Sequence, residues 1–508
     1  MADCYIGIDS GTQSTKALVI DGASGRVLGS AARKYDLIAG LPTGHMEQAP
    51  QDWIDAIQQT IPEALKTAQV SPEEIRAIGV SGQQHGFVPL DAAGEVIRPA
   101  KLWCDTSTQA QCEQLISGMG GLDALIRTTG NGMPPGFTAS KILWMKENEP
   151  DHFRRLAHCL LPHDYINYWL TGIMAMEPGD ASGTALLDVR TRQWAEQVMR
   201  LIDPRIPSLF PPLRASHEVL GPLRPEAAQA LGLPGSVLVS AGGGDNMMGA
   251  IGTGNTRPGV VTCSLGTSGT IYACSDQPIV DPQGEIAAFC DSTGRWLPLL
   301  CTMNVTVATE YIKELFGLDN RTLTSAAEAV PPGAEGLLLL PYFEGERTPN
   351  IPDGTGVLLG WRRQTNTPGH FARAAIEGAT LGLNYGLNRM RKLGITPTEV
   401  RLTGGGSQNR LWRQIAADVF EAETVCLETA EGAALGAALQ AVWAFENRAG
   451  HAGRSIEQIT DDLVRTDEAT RCHPRPEHQA VYRAGQALHD EASRALRDEF
   501  FLHHRTAL

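Results

Sequence analysis

Three short polar segments of this chain carry residues suited to holding a polyphosphate and moving a proton. "IGIDSGTQSTKALVID", from Ile6, sets Asp9, Gly11, Thr12 and Lys16 in a tight loop between two apolar runs. The N–H groups of such a turn form an anion-binding concavity, and glycine lets a ligand approach the backbone. Asp9 is placed to hold a metal ion, through water, against phosphate oxygens. The spacing is not that of a P-loop, which needs G-x-x-x-x-G-K-[ST] before a helix. Taken alone, the loop also reads as an ordinary surface hairpin. "SLGTSGT" repeats the Gly-Thr turn at Gly266 and Thr267, about half the chain away. Two facing turns of this kind would clamp one polyphosphate. "AGGGDN" puts Asp245 after an apolar run and three glycines. A carboxylate at a strand end borders a cleft and suits general-base work; a helix cap is the alternative.

Other segments offer groups for an uncharged polar ligand. In "SGQQHG", Gln84 and His85 lie in a loop between two strands, where both can hydrogen-bond a polyhydroxy compound; a histidine satisfied by backbone is the alternative. "KLWCDTST" adds Trp103 and Asp105, an indole beside polar groups that suits one face of a sugar, or a core position. "LTGGGSQN" joins a strand to a helix through three glycines, Gly404 to Gly406. There a flat ligand can lie on bare backbone beside a helix N-terminus, as a nucleoside would. A plain strand–helix turn is the alternative.

The elements that must position these groups follow from periodicity. "CYIGI", "TKALVI" and "RVLGSAARKY" read as three antiparallel strands. Trp53, Ile57, Ile61 and Leu65 recur at helical spacing, with Pro62 expected to divide that helix in two. A strand, the Gln-His loop and a second strand follow. Residues 105–235 read as mostly helical. The turn-rich "TGNTRPG" marks a boundary, giving domains 1–252 and 253–508. Ser407 is expected to cap the helix after "GGGS". "EGAALGAALQAVWAF" is a small-residue helix fit for close packing. From about 447 a polar stretch leads to a C-terminal helix with Val481, Leu488, Ala492 and Leu496 on one face.

The 508 residues are 42% apolar and 19% charged, with net charge −15. That length implies more than one domain. No basic run exists to suit a nucleic acid. No apolar run approaches the roughly 18 residues of a membrane helix. The ten cysteines show no metal or disulfide spacing and read as reduced thiols. The start of the chain turns polar too soon for a signal peptide. A cytoplasmic protein is expected.

D-x-G-T-x-x-x-K, "GQQHG", "WCDTST", "GGGDN", "SLGTSGT", "PYFEGERTP" and "GGGSQN" occur in this order over roughly residues 4–445. Together they resemble the FGGY carbohydrate kinase family. The resemblance implies an α/β fold: two actin-like, ribonuclease H-like ATPase domains, each with a five-stranded mixed sheet, facing a cleft. It implies ATP with Mg²⁺, mainly on the second domain, and a sugar, mainly on the first. Asp245 then resembles the catalytic base, and Asp9 the acid supporting metal and phosphates. Gln84, His85 and Asn246 match the sugar loop, with Trp103 nearby. Gly11, Thr12, Gln13, Gly266 and Thr267 match the phosphate turns, and Gly404, Gly405 and Asn409 the nucleotide stretch. Gln-His stands where glycerol-phosphorylating members are expected to carry Arg-Glu. That points to D-xylulose, taken at its 5-hydroxyl, with ribulose or glycerol as alternative acceptors. A nucleotide switch and a sugar sensor without turnover are the non-kinase alternatives. Small-molecule partners alone are expected, no nucleic acid or membrane, and a homodimer as the assembly.

Overall fold

The computed structural model describes residues 3–429 and 431–501. Labels below number, in chain order, only the elements used here. Strands β1 (Cys4–Ser10), β2 (Ser14–Asp21) and β3 (Val27–Lys34) form an antiparallel meander. Strand β4 (Ile75–Gly82) runs parallel to β1, and β5 (Leu238–Ser240) parallel to β4. The core order is β3-β2-β1-β4-β5. All of β1 except Asp9 is buried, as a strand between two neighbours and under helices must be.

The second half repeats this plan. Strands β6 (Val260–Leu265), β7 (Gly269–Ala273) and β8 (Trp296–Thr302) are antiparallel. Strands β9 (Glu399–Thr403) and β10 (Glu423–Leu427) continue the sheet in parallel from β6. Each sheet has seven strands rather than the five the sequence reading implied. The short strands Val219–Pro222 and Gly243–Gly244 extend the first, and Ala287–Cys290 and Thr466–Cys472 the second. Ser264 holds in β6 the place Asp9 holds in β1, two residues before the turn glycine.

Helix α1 (Pro50–Ala68) runs unbroken through Pro62, against expectation. Pro62 lies on the exposed face, so the carbonyl that loses its partner is turned toward water. Helix α2 (Asp245–Gly252) follows the glycine run. Helix α5 (Gly432–Glu446) leaves the second half and lies on β1 and β4 of the first, with α2 beside it. Glycines make that approach possible. A Cβ on Gly7 would stand 1.9 Å from the Ala434 carbonyl oxygen, and one on Gly79 1.9 Å from that of Ala437. Gly252 and Gly436 bring α2 and α5 equally close, with a Cβ on Gly436 falling 1.7 Å from the Met248 oxygen.

Helices α3 (Pro368–Lys392) and α4 (Arg410–Phe420) flank the second sheet, and α6 (Pro476–Leu496) packs on both. The expected apolar face of α6 is corrected in part. Ala492 and Leu496 pack inward, but Val481 and Leu488 are 36% and 47% exposed. The buried side carries Tyr482, Gln486, His489 and Ser493. It docks by hydrogen bonds: Tyr482 to Glu377 (2.9 Å), Asn384 to Gln486 (2.9 Å), and Ser493 with Tyr342 (2.6 Å). Apolar periodicity is blind to such a seam.

Gly436→Ala is expected to cost about 3 kcal/mol through backbone collision. Gly432→Ala, whose Cβ meets nothing within 4 Å, should be neutral or stabilising by up to about 1 kcal/mol. Urea unfolding midpoints of the two variants check this.

Candidate active site

The ends of three adjacent strands bring the two carboxylates together. Asp9 is in register with Ser81 of β4, and Ser81 with Gly243, two residues before Asp245. Ser81 Oγ donates to Asp9 Oδ1 at 2.8 Å. Asp245 opens α2, and its Oδ1 accepts the Asn246 N–H (2.7 Å) and side-chain amide (2.9 Å). Its Oδ2 has no partner among the described residues. Burial, then the charge of Asp9, push the Asp245 carboxyl up to about 7. Burial also raises Asp9, against the pull of Ser81 and Lys16. Lys16 itself pairs with Glu431, at the head of α5, at 2.5 Å.

Two hard oxygen donors left in mutual repulsion fit a divalent cation. Both Asp9 and Asp245 keep one carboxylate oxygen without a hydrogen-bond partner among the described residues. A second acidic cluster, His45, Glu47 and Asp105, has ligand atoms within 4.8 Å of one another. Its centre is already served by the Lys101 ammonium, 2.9 Å from Asp105 and 3.3 Å from Glu47 and His45. That cluster is a buried ion network rather than a metal centre.

The Gln-His loop lies beside Asp245. Gln84 Oε1 accepts from Asn246 at 2.8 Å, while its buried Nε2 has no partner among the described residues. A buried amide donor without a partner is costly unless a ligand satisfies it. His85 has φ of 63°, a conformation rare for non-glycine residues, and stacks on Phe137 with centroids 4.3 Å apart. Its Nδ1 lies 2.6 Å from the Gly183 carbonyl, which fixes the proton there. Burial, then Lys141, press its pKa down to about 3, so Nε2 is a neutral acceptor for a hydroxyl.

Lys141 escaped sequence reading. Its buried ammonium donates to the carbonyls of His85 (2.7 Å) and Gly136 (2.5 Å), and burial lowers its pKa to about 7. The signal was there: Lys141 sits among Ala139, Ile142, Leu143 and Met145 on the buried side of its helix. Phe289 was missed as well. It crosses from the second half to face His85, centroids 5.8 Å apart.

The first turn is braced from beneath. Thr12 Oγ1 accepts the Trp103 indole N–H (2.9 Å) and donates to Gln83 (3.3 Å); Gln48 donates to the Thr12 carbonyl (2.6 Å). The polar edge of Trp103 is thus spent on the turn, and its ring is half-buried. Gln13 is exposed at the tip. In the second turn, the N–H groups of Val305 and Thr306 donate to the carbonyls of Thr267 and Gly266, both at 2.9 Å.

Gly404, at φ of 80°, packs against that turn: a Cβ there would be 2.7 Å from the Leu265 carbonyl carbon. Gly405 is exposed, with open space where a Cβ would stand. Asn409, not Ser407, caps α4, accepting from Leu411 and Trp412. Ser407 donates instead to the Gly404 carbonyl at 2.7 Å, because a further short turn intervenes before the helix. With the Asn409 amide also bound to Thr324, backbone is what this stretch offers a ligand.

A duplicated actin-like fold, with a carboxylate at the head of a helix and a Gly-Thr turn in each half, is that of a two-domain ATP-dependent phosphotransferase. The FGGY carbohydrate kinase N-terminal domain profile matches residues 4–252, and the C-terminal domain profile residues 261–445. The chain belongs to the FGGY family of carbohydrate kinases. It is 42% identical to a xylulose kinase of Haemophilus influenzae, over 92% of this chain and 95% of that one. It is 40% identical to one of Streptomyces coelicolor, over 92% and 94%. The crystal structure of xylulose kinase from Rhodospirillum rubrum superposes with TM-score 0.89 at 29% identity, over 98% and 99% of the two chains.

The raised Asp245 pKa has a consequence for stability. Between about pH 4 and 7 the folded chain binds a proton there that the unfolded chain does not, so stability falls as pH rises through that window. Asp245→Asn escapes the cost. It should melt higher than the parent at about pH 8, with the gap closing toward about pH 4, as scanning calorimetry would read.

Proposed function

We propose that this FGGY kinase transfers the γ-phosphoryl group of ATP to the 5-hydroxyl of D-xylulose, giving D-xylulose 5-phosphate and ADP. Asp245 carries the reading. It has one carboxylate oxygen fixed by Asn246 and one free, beside the unpaired Gln84 amide and a hydroxyl acceptor on His85. Gln84, His85, Asn246 and the ring of Trp103 hold the sugar. Asp245 Oδ2 takes the proton of the attacking hydroxyl, whose oxygen bonds to the γ-phosphorus in line as the bond to the ADP oxygen breaks. The backbone of Gly11, Thr12 and Gln13 faces that of Gly266 and Thr267 across the phosphates. Gly404 and Gly405 receive the nucleoside, and Asn409 orders their turn through α4. Mg²⁺, supported by Asp9, neutralises phosphate charge when bound. The similarity to xylulose kinases over nearly the whole chain supports this acceptor over ribulose or glycerol.

In this reading residues 1–252 form the sugar lobe and 253–508 the nucleotide lobe, with the segment from 447 belonging to the latter. All ten cysteines are free thiols and no helix among the described residues is long and apolar enough to cross a membrane. Both facts suit a cytoplasmic site of action with small-molecule partners. A homodimer, carried over from the sequence reading, is read out by light scattering.

ADP release with D-xylulose, D-ribulose and glycerol tests the acceptor: D-xylulose should give the highest kcat/KM, and preference for glycerol would overturn the assignment. Asp245→Asn should lower kcat by about 10²–10⁴-fold while D-xylulose still binds in calorimetry. For the parent enzyme, kcat/KM should fall about tenfold per pH unit below about pH 7, where Asp245 is protonated, and level off above it.

A further inference from the structure

The motif "PYFEGERTP" has no role in the site so far, yet its Arg347 stands at the cleft. The guanidinium is exposed and enters no ion pair among the described residues; its side-chain partner is the Cys301 thiol at the end of β8. Its backbone is rigidly held. The buried Glu346 carboxylate accepts the Arg347 N–H (2.8 Å) and the Met303 N–H (2.6 Å) on Oε1, and the Asn304 amide (3.1 Å) on Oε2. Asn304 also donates to the Gly345 carbonyl at 2.7 Å. The next two residues, Val305 and Thr306, are those that hold the second phosphate turn. Arg347 is therefore fixed, through one short segment, to the loop that grips the phosphates.

Its other side faces the sugar lobe. The guanidinium charge reaches the His85 imidazole, where it adds to the lowering by burial and Lys141, and the Cys104 thiol, next to Trp103, where it opposes the rise that burial causes. An arginine without a counter-ion is thus anchored on the nucleotide lobe and directed across the cleft. Its Cys301 partner pairs in register with Thr270, three residues past Thr267 of the second turn, and its charge is felt at His85 of the Gln-His loop. Guanidinium matches phosphoryl oxygens in geometry and charge, and its one positive charge there is uncompensated.

Resting on the kinase reading above, we propose that Arg347 is a catalytic residue that binds the phosphoryl oxygens during transfer from ATP to the sugar hydroxyl. No bond is made to it. The O–P bond forms to the sugar and breaks to ADP, the proton goes to Asp245, and Arg347 balances the charge on the moving group. Glu346 is a positioning residue that aims it.

Arg347→Ala, Arg347→Gln and Arg347→Lys are assayed with saturating ATP and whichever acceptor the parent enzyme prefers, so an error about D-xylulose does not affect the outcome. The alanine and glutamine variants should lose about 10²–10³-fold in kcat with both KM values within about threefold, and lysine should recover part of the loss. Added guanidinium should restore turnover to the alanine variant and not to Asp245→Asn. Unchanged melting temperatures show that the exposed side chain is not needed for folding. A kcat within about threefold of the parent, or a loss confined to the KM for the sugar, would overturn the proposal.

Discussion

The close seating of α5 on β1, β4 and α2 is the constraint on which the site depends. Four glycines, Gly7, Gly79, Gly252 and Gly436, remove the side chains that would hold these backbones apart. The seam fixes three things at once. It sets the axis of α2, whose first residue is Asp245. It stacks the ends of β1 and β4, where Asp9 and Ser81 meet. It also delivers Glu431 to Lys16, tying the first turn to a helix contributed by the other half. Dense packing transmits such positions with little slack.

Around that seam the cleft is built as an electrostatic deficit. Among the described residues, the like charges of Asp9 and Asp245 repel in partial burial, Gln84 keeps an unpaired donor, and Arg347 has no ion-pair partner. Each is unfavourable in the empty protein. In the proposed site they match the groups of a nucleotide, a cation and a polyol, so binding would relieve what folding leaves unsatisfied. The neighbouring Lys101 network shows the contrast. There every charge is already met within the fold, and nothing is left to offer a ligand.

Much of this was legible in the sequence, and for identifiable reasons. Strands β1 to β3 and both turns announce themselves through apolar runs broken by Gly-Thr. Asp245 and Gln84 stand in short motifs whose order carries the family. What escaped lay where local pattern and tertiary context diverge. Pro62 reads as a breaker until its exposed position is known. Val481 and Leu488 read as core until the polar seam of α6 is seen. Ser407 reads as the cap because the intervening short turn leaves no mark. Lys141 sits in a buried run that marks it as unusual, but nothing local says that one of its carbonyl partners is His85, more than fifty residues away.

The repeated hairpins share the Gly-Thr turn but not the acid before it: Asp9 in β1 is answered by Ser264 in β6. Two identical jaws would accept a phosphate chain in either sense. With acid on one jaw only, a phosphate chain bound as proposed would have a head and a tail within the protein. In the proposed site, the pseudo-symmetry of the two turns is thereby broken at the residue before the grip, which would give the transfer a direction.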